Sequence, residues 1–388
     1  MGKQEQILKE KLASISSTDA KDWFIVSRAR HGMEQVFRQV FSLKGSGQVI
    51  TQSFTCVTAI NPIIASGLTP VYCDISANNF SIDVEKLNPL VSQETRAVIM
   101  QHSFGIPADV ASAKKRLGSS NVLIIEDSAH RLGYITKKDK IPLADVSVHS
   151  FGSEKFLKTN FGGAIWVNPE MHDKELRNLI INCLSNLPKV SLRIRLKVWL
   201  YPSINGVLNR LPATISKLCR KILLMSGLFR SPIVPKEQRG TNYEPCQSPN
   251  ERQLRIINDA LAGYYDNLSH RLELTALYQQ LLQDSTLGLE TVKIADISEM
   301  PLVRFPLLAN TREIASQIFD ELRQKGINVG KWYRPLFFPG VNNLKQYYYE
   351  IGSCPVAEDL SVRIINLPTN QQTTVQQAKE LIDAIKSN

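Results

Sequence analysis

The stretch SFGSEKFLKTNFGGA, Ser150 to Ala164, holds two lysines three residues apart, a serine five residues before the first, and a glycine pair after both. Its surroundings set the fold class. Between about residues 48 and 168, short apolar runs rich in β-branched residues recur: QVITQ, PVYCDI, AVIMQ, VLIIED, VSVHSF and GAIWVN. Most are separated by stretches long enough for a helix, such as VTAINPIIASG and DVASAKKRLGSS. Continuous apolar strands alternating with helices predict an α/β protein whose mainly parallel sheet is flanked by helices on both faces. In such a sheet functional groups gather beyond the carboxyl ends of the strands. That marks Asp127, at the end of VLIIED, and the turn after VSVHSF that leads to Lys155 and Lys158.

The chain has 388 residues, enough for one large domain and a smaller one. Its 43% hydrophobic and 21% charged residues place it among globular proteins and exclude a disordered chain. Cys56, Cys73, Cys183, Cys219, Cys246 and Cys354 lie far apart with no C-x-x-C pair, so neither a zinc site nor a disulfide scaffold is expected and a reducing, cytoplasmic setting fits best. The N-terminus, MGKQEQILKEKLASISS, carries scattered charges and reads as no secretory signal. No run of about 18 apolar residues occurs, so a membrane span is not expected.

The net charge of +10 has one source. From Ser185 to Pro235 there are nine Lys or Arg and no Asp or Glu, and the remainder holds 37 basic against 36 acidic residues. This segment also shows helix-like apolar spacing in LPATISKLCRKILLMSGLF, bounded by prolines. The expected organisation is a large domain over 1–184, N-terminal helix included, then a basic, apolar helical insertion over 185–250. A linking helix and a small C-terminal α+β domain follow over 251–388, the small domain read from VRFPLLA, TREIASQIFDELRQKG and TTVQQAKELIDAIKSN. Two covers suit the basic segment over 185–235: the anionic inner face of a membrane, touched peripherally, or the parent domain or a partner subunit, with the basic side in water. Nucleic acid is excluded because the apolar content exceeds what a phosphate-tracking stripe needs.

Taken singly, an Asp at a strand end is usually a cap, a loop lysine usually solvated, and a glycine pair usually a tight turn. Their order here is what carries information: IIEDSAH, a gap, SFGSEK, then GGAIWVN. The sequence resembles the DegT/DnrJ group of pyridoxal 5'-phosphate (PLP) nucleotide-sugar aminotransferases, of the aspartate-aminotransferase-like fold (PLP transferase fold type I). Those proteins show EDAAQ or EDAAH at a strand end, then SFxxxKN, then a glycine pair. Glu126, Asp127, Ser128, Ala129 and His130 match the first; Ser150, Phe151 and Lys155 the second; Gly162 and Gly163 the third. Lys158 has the wrong offset to both neighbours. HSFGIPADV and PVAEDLSVRIINLPT match further family patterns, and the likeness covers most of residues 24–183 and 300–388.

The resemblance implies a PLP-dependent aminotransferase that passes an amino group, usually from glutamate, to a keto-sugar nucleotide in polysaccharide or related sugar biosynthesis. It implies a homodimer with the active site at the subunit boundary. Lys155 is then the residue that bonds the aldehyde cofactor and later moves a proton. Asp127 keeps the pyridine nitrogen protonated, so that the ring can accept electrons. Ser150 holds phosphate, and His130 either hydrogen-bonds the cofactor oxygen or Asp127, or is structural. Relatives that dehydrate a sugar generally carry histidine where this chain has Lys155, which favours transamination.

Three positions depart from the family pattern. The phosphate-binding turn SGTAAL stands here as SRARHGM, which puts Arg30 where threonine is expected, followed by His31. An arginine at a helix N-terminus also attracts an anion, so both residues are expected at the cofactor; the alternative is a turn that no longer binds phosphate. Cys56 falls where relatives place an aromatic ring stacked on the cofactor. Asn242, in TNYEPCQSPNERQ, is the counterpart of a segment that reaches the phosphate of the neighbouring subunit, with altered spacing. These departures motivate a second reading, a non-catalytic paralogue that kept the fold as a binding or regulatory module. The role of the aromatic loop WYRPLF, Trp332 to Phe337, is left open by the sequence.

Overall fold

The computed structural model describes residues 2–118, 120–152, 154–157, 159, 161–191, 196, 200, 203–204, 206–208, 210–225, 235–241, 245–282, 289–291, 296–327 and 329–386. Lys158, Asn242 and much of the basic segment lie outside the described residues.

The apolar runs form strands. In chain order they are β1 (Trp23–Val26), β2 (Gln48–Thr51), β3 (Thr69–Tyr72), β4 (Thr95–Gln101) and β5 (Leu123–Asp127). A small hairpin of β6 (Lys137–Lys138) and β7 (Ile141–Pro142) precedes β8 (Val146–Ser150) and β9 (Gly163–Val167). Seven of them make one sheet in the order β1-β9-β8-β5-β4-β2-β3, in which β9 alone runs antiparallel to its neighbours. Alternation along β4 explains why both faces are covered. Ala97 and Ile99 pack with Met33, Val36, Phe37 and Val40 of the helix Ala29–Lys44 on one side. Val98 and Met100 pack with Val110, Ala113 and Leu117 of the helix Val110–Leu117 on the other. Because β1, β4, β5 and β8 point the same way, Arg28, Gln101, Asp127 and Ser150 emerge at one end of the sheet.

A second, antiparallel sheet joins β10 (Leu289–Thr291), β11 (Arg304–Ala309) and β12 (Ile364–Pro368). Its helices are Arg312–Gln324, Pro355–Arg363 and Val375–Lys386. The long helical pattern that begins near Gln253 is two helices, Glu251–Ala262 and Tyr264–Leu282, separated at Gly263; Asn250 and Gln253 cap the first reciprocally. Phe54, Val57, Phe80 and Phe104 of the large sheet's loops and helices share one apolar cluster with Phe305, Leu307 and Tyr278. The two sheets are therefore welded through buried aromatic side chains. Asp74, just past β3, reinforces this by accepting the amides of Val356 (3.1 Å) and Ala357 (2.9 Å) at the start of the helix Pro355–Arg363.

Candidate active site

At the carboxyl ends of β1, β4, β5 and β8 the chain encloses a cavity of about 510 Å³, a size that suits a cofactor-like molecule. Of the residues expected at the site, Asp127, His130, Ser150, Lys155, Arg30 and Cys56 all line it. His31 does not. It is buried in the first turn of the helix Ala29–Lys44, where one residue's step of about 100° around the axis carries it off the face that Arg30 presents.

Lys155 is set by a turn in which its amide donates to the Gly152 carbonyl (3.2 Å), while the Ser150 hydroxyl accepts from the Gly152 amide (3.3 Å). The lysine amine lies 2.7 Å from Nε2 of His130. The direction of that hydrogen bond follows from the other ring nitrogen. Nδ1 of His130 accepts the backbone N–H of Phe104 (3.0 Å), so in the neutral ring the proton sits on Nε2 and is donated to the amine. An amine that accepts a hydrogen bond is the uncharged, nucleophilic form. Burial acts in the same direction on both groups, lowering the Lys155 pKa and pushing that of His130 well below its usual value. Within the chain, Nε2 of His130 meets Lys155 rather than Asp127, while Nδ1 takes the structural part by accepting the Phe104 amide.

Asp127 ends β5, and its Oδ1 accepts the Ala129 amide at 3.0 Å. Burial raises its pKa, an effect partly offset by that amide and by Lys155. The glycine pair closes the floor. A side chain at Gly163 would place Cβ 2.6 Å from the Ala29 nitrogen and 2.8 Å from the His149 oxygen, so only glycine lets β9 run this close to the start of the helix. Gly162 has φ +88° and donates to the Ser27 carbonyl at 2.8 Å.

The remaining walls combine parts that the sequence did not assign, among them Trp332, Tyr333, Gln101 and Arg28, with two that it did, Cys56 and Arg30. Trp332 stacks on His130 (centroids 4.8 Å apart, planes 10° apart), and its ring centre lies 4.5 Å from the Lys155 amine. The Tyr333 hydroxyl lies 3.3 Å from Nε2 of His130. Gln101, at the end of β4, accepts a hydrogen bond from Thr55. Cys56 precedes the helix Val57–Ala65, its sulfur accepting from the Thr58 hydroxyl at 3.1 Å. Arg30 pairs with Glu237 at 2.6 Å, the two side chains being 13% and 5% exposed, and Arg28 joins it on the cavity wall. WYRPLF was the one signal in the sequence for the aromatic wall; nothing local pointed to Glu237.

The profile of the DegT/DnrJ/EryC1/StrS aminotransferase family matches residues 1–214 and 250–386. The chain belongs to that family. Among individual relatives, GDP-perosamine synthase of Escherichia coli O157:H7 is 22% identical over 342 residues, covering 87% of this chain and 78% of that protein. The MJ1066 protein of Methanocaldococcus jannaschii is 24% identical over 200 residues, 46% of this chain and only 52% of that protein's length. Among solved structures, Spr1654 of Streptococcus pneumoniae in its PLP form superposes with a TM-score of 0.74 at 19% identity, covering 100% of this chain and 91% of that one. The likeness shows the same fold, the mainly parallel PLP-transferase architecture expected from the sequence.

Pyridoxal phosphate is the cofactor of this DegT/DnrJ-family aminotransferase. The donor set fits the group on its chemistry. An uncharged buried amine suits an aldehyde, a buried carboxylate suits a pyridine nitrogen, and Ser150 with two guanidiniums at the start of a helix suits a phosphate.

Proposed function

We propose that this aminotransferase moves an amino group from an amino-acid donor, glutamate, to a keto-sugar carried on a nucleotide, in the cytoplasm and as a homodimer. The observation that carries the reading is the presence in one cavity of Lys155, hydrogen-bonded to His130, and the buried Asp127 carboxylate. GDP-perosamine synthase and Helicobacter pylori PseC, described as an aminotransferase in pseudoaminic acid biosynthesis, support the sugar substrate.

When bound, pyridoxal phosphate supplies an aldehyde and an electron-accepting ring. Lys155 would supply the free amine that holds the aldehyde and, when not so engaged, the base that holds and moves a proton. His130 holds the lysine uncharged before attack and aims its lone pair. Asp127 keeps the ring nitrogen protonated, a task its carboxylate performs when ionised and close to a cation. Ser150 and Arg30 hold phosphate. Trp332 and Tyr333 cover the amine and keep water from it.

The reading is tested by incubating the PLP-loaded protein with glutamate and a panel of nucleotide-linked keto-sugars while following 2-oxoglutarate. Release of 2-oxoglutarate that depends on one of the sugars is the expected result. A loaded enzyme whose release of 2-oxoglutarate from glutamate depends on no sugar of the panel refutes it.

A further inference from the structure

The helix Ala213–Met225 contributes no described residue to the buried apolar clusters. None of its described side chains is buried, and Ile215, Leu218 and Ile222 are 50%, 60% and 56% exposed. Their spacing places them on one face. Leu196 and Val207, 55% and 58% exposed, belong to the same segment, so half of the strongly exposed large apolar residues of the described chain lie within residues 196–222. An apolar stripe of this kind in water marks a surface that something covers. Residues 215–249 have no counterpart in the family profile, so this face is not required by the fold common to the family.

Charge decides what covers it. The stretch from Ser185 to Pro235 has nine cations and no carboxylate. A symmetric contact between two copies through this helix would set it against itself, with three cations and no carboxylate in Ala213–Met225 to neutralise either side. Nucleic acid would satisfy the cations but leave the aliphatic stripe in water. An anionic lipid surface satisfies both, its headgroups meeting the lysines and arginines and its acyl boundary accepting Ile215, Leu218 and Ile222. Among the described residues no helix is long and apolar enough to cross a bilayer, so the contact would be interfacial.

We infer that the helix Ala213–Met225 docks this enzyme on an anionic membrane surface. The full chain is floated with vesicles of phosphatidylglycerol mixed with phosphatidylcholine, and with vesicles of phosphatidylcholine alone, at low and high salt. Binding is expected to the anionic vesicles only and to weaken with salt. The I215S/L218S/I222S variant changes only exposed positions, and circular dichroism confirms that it remains folded. It should bind the anionic vesicles at least about tenfold less tightly. The inference is overturned if the wild-type chain ignores anionic vesicles at low salt, or if the triple variant floats as well as wild type. It is equally overturned if the substitutions lower the protein's mass in solution, since a second copy would then be the occupant.

Discussion

His130 decides the protonation of the lysine it touches. Its ring has one tautomer compatible with the Phe104 amide, and that tautomer asks Lys155 to be uncharged. The amine also feels Asp127, Cys56 and Glu154, which favour its charged form, against burial and Arg30, which oppose it; the balance lowers its pKa below that of an ordinary lysine. Protonation removes the nucleophile, so the rate of PLP uptake should fall as pH drops. With a lowered pKa, that fall is centred below the ordinary lysine value of about 10.4. Replacing His130 by Phe keeps a ring for Trp332 to stack on and deletes the donor. The midpoint of PLP uptake against pH should move up in that variant. Stability should also drop by about 1–3 kcal/mol, because the buried Phe104 amide loses its acceptor. An unchanged midpoint, measured by stopped-flow absorbance, would mean that His130 does not set the charge of Lys155. The sequence placed His130 near the site but could not give its partner, since that depends on an amide 26 residues away.

At the level of elements, the strands and their motifs were legible because buried parallel strands write themselves as unbroken apolar runs, and because the groups that matter sit at strand ends. β1, at Trp23–Val26, lies outside the stretch 48–168 in which the apolar runs alternate with helices, although it is as long as β2 and β3. The aromatic wall of Trp332 and Tyr333 was not legible as part of the site, since its contact with His130 joins residues about two hundred apart and leaves no local period. The glycine pair was legible, and its reason is now a distance. Gly163→Ala should force the helix Ala29–Lys44 away from β9, lowering stability by about 1–3 kcal/mol and weakening PLP binding, as read by thermal melts and titration. Arg30 is the element-scale surprise, because its guanidinium bonds Glu237 of the short turn Pro235–Arg239. The Asn61 side-chain amide and the Tyr347 hydroxyl both donate to the Glu237 main-chain carbonyl and hold that turn whatever its side chain. Glu237→Gln should therefore leave the turn in place while releasing Arg30. PLP affinity should weaken by roughly tenfold with pyridoxal affinity unchanged; equal change in both would separate Arg30 from the phosphate.

For the whole molecule, an aromatic core and the Asp74 carboxylate help join the two sheets. Asp74 comes from the large sheet yet supplies the N-terminal acceptor for a helix of the small one. Asp74→Ala should cost about 1–2 kcal/mol and lower the melting temperature in one cooperative transition; a split into two transitions would show that the sheets unfold independently. The central assignment remains chemical, and it is reached most directly by borohydride reduction of the PLP-saturated protein followed by peptide mapping. A pyridoxyl group on Lys155 is the predicted outcome, and one found on Lys158, or on no peptide at all, would contradict it.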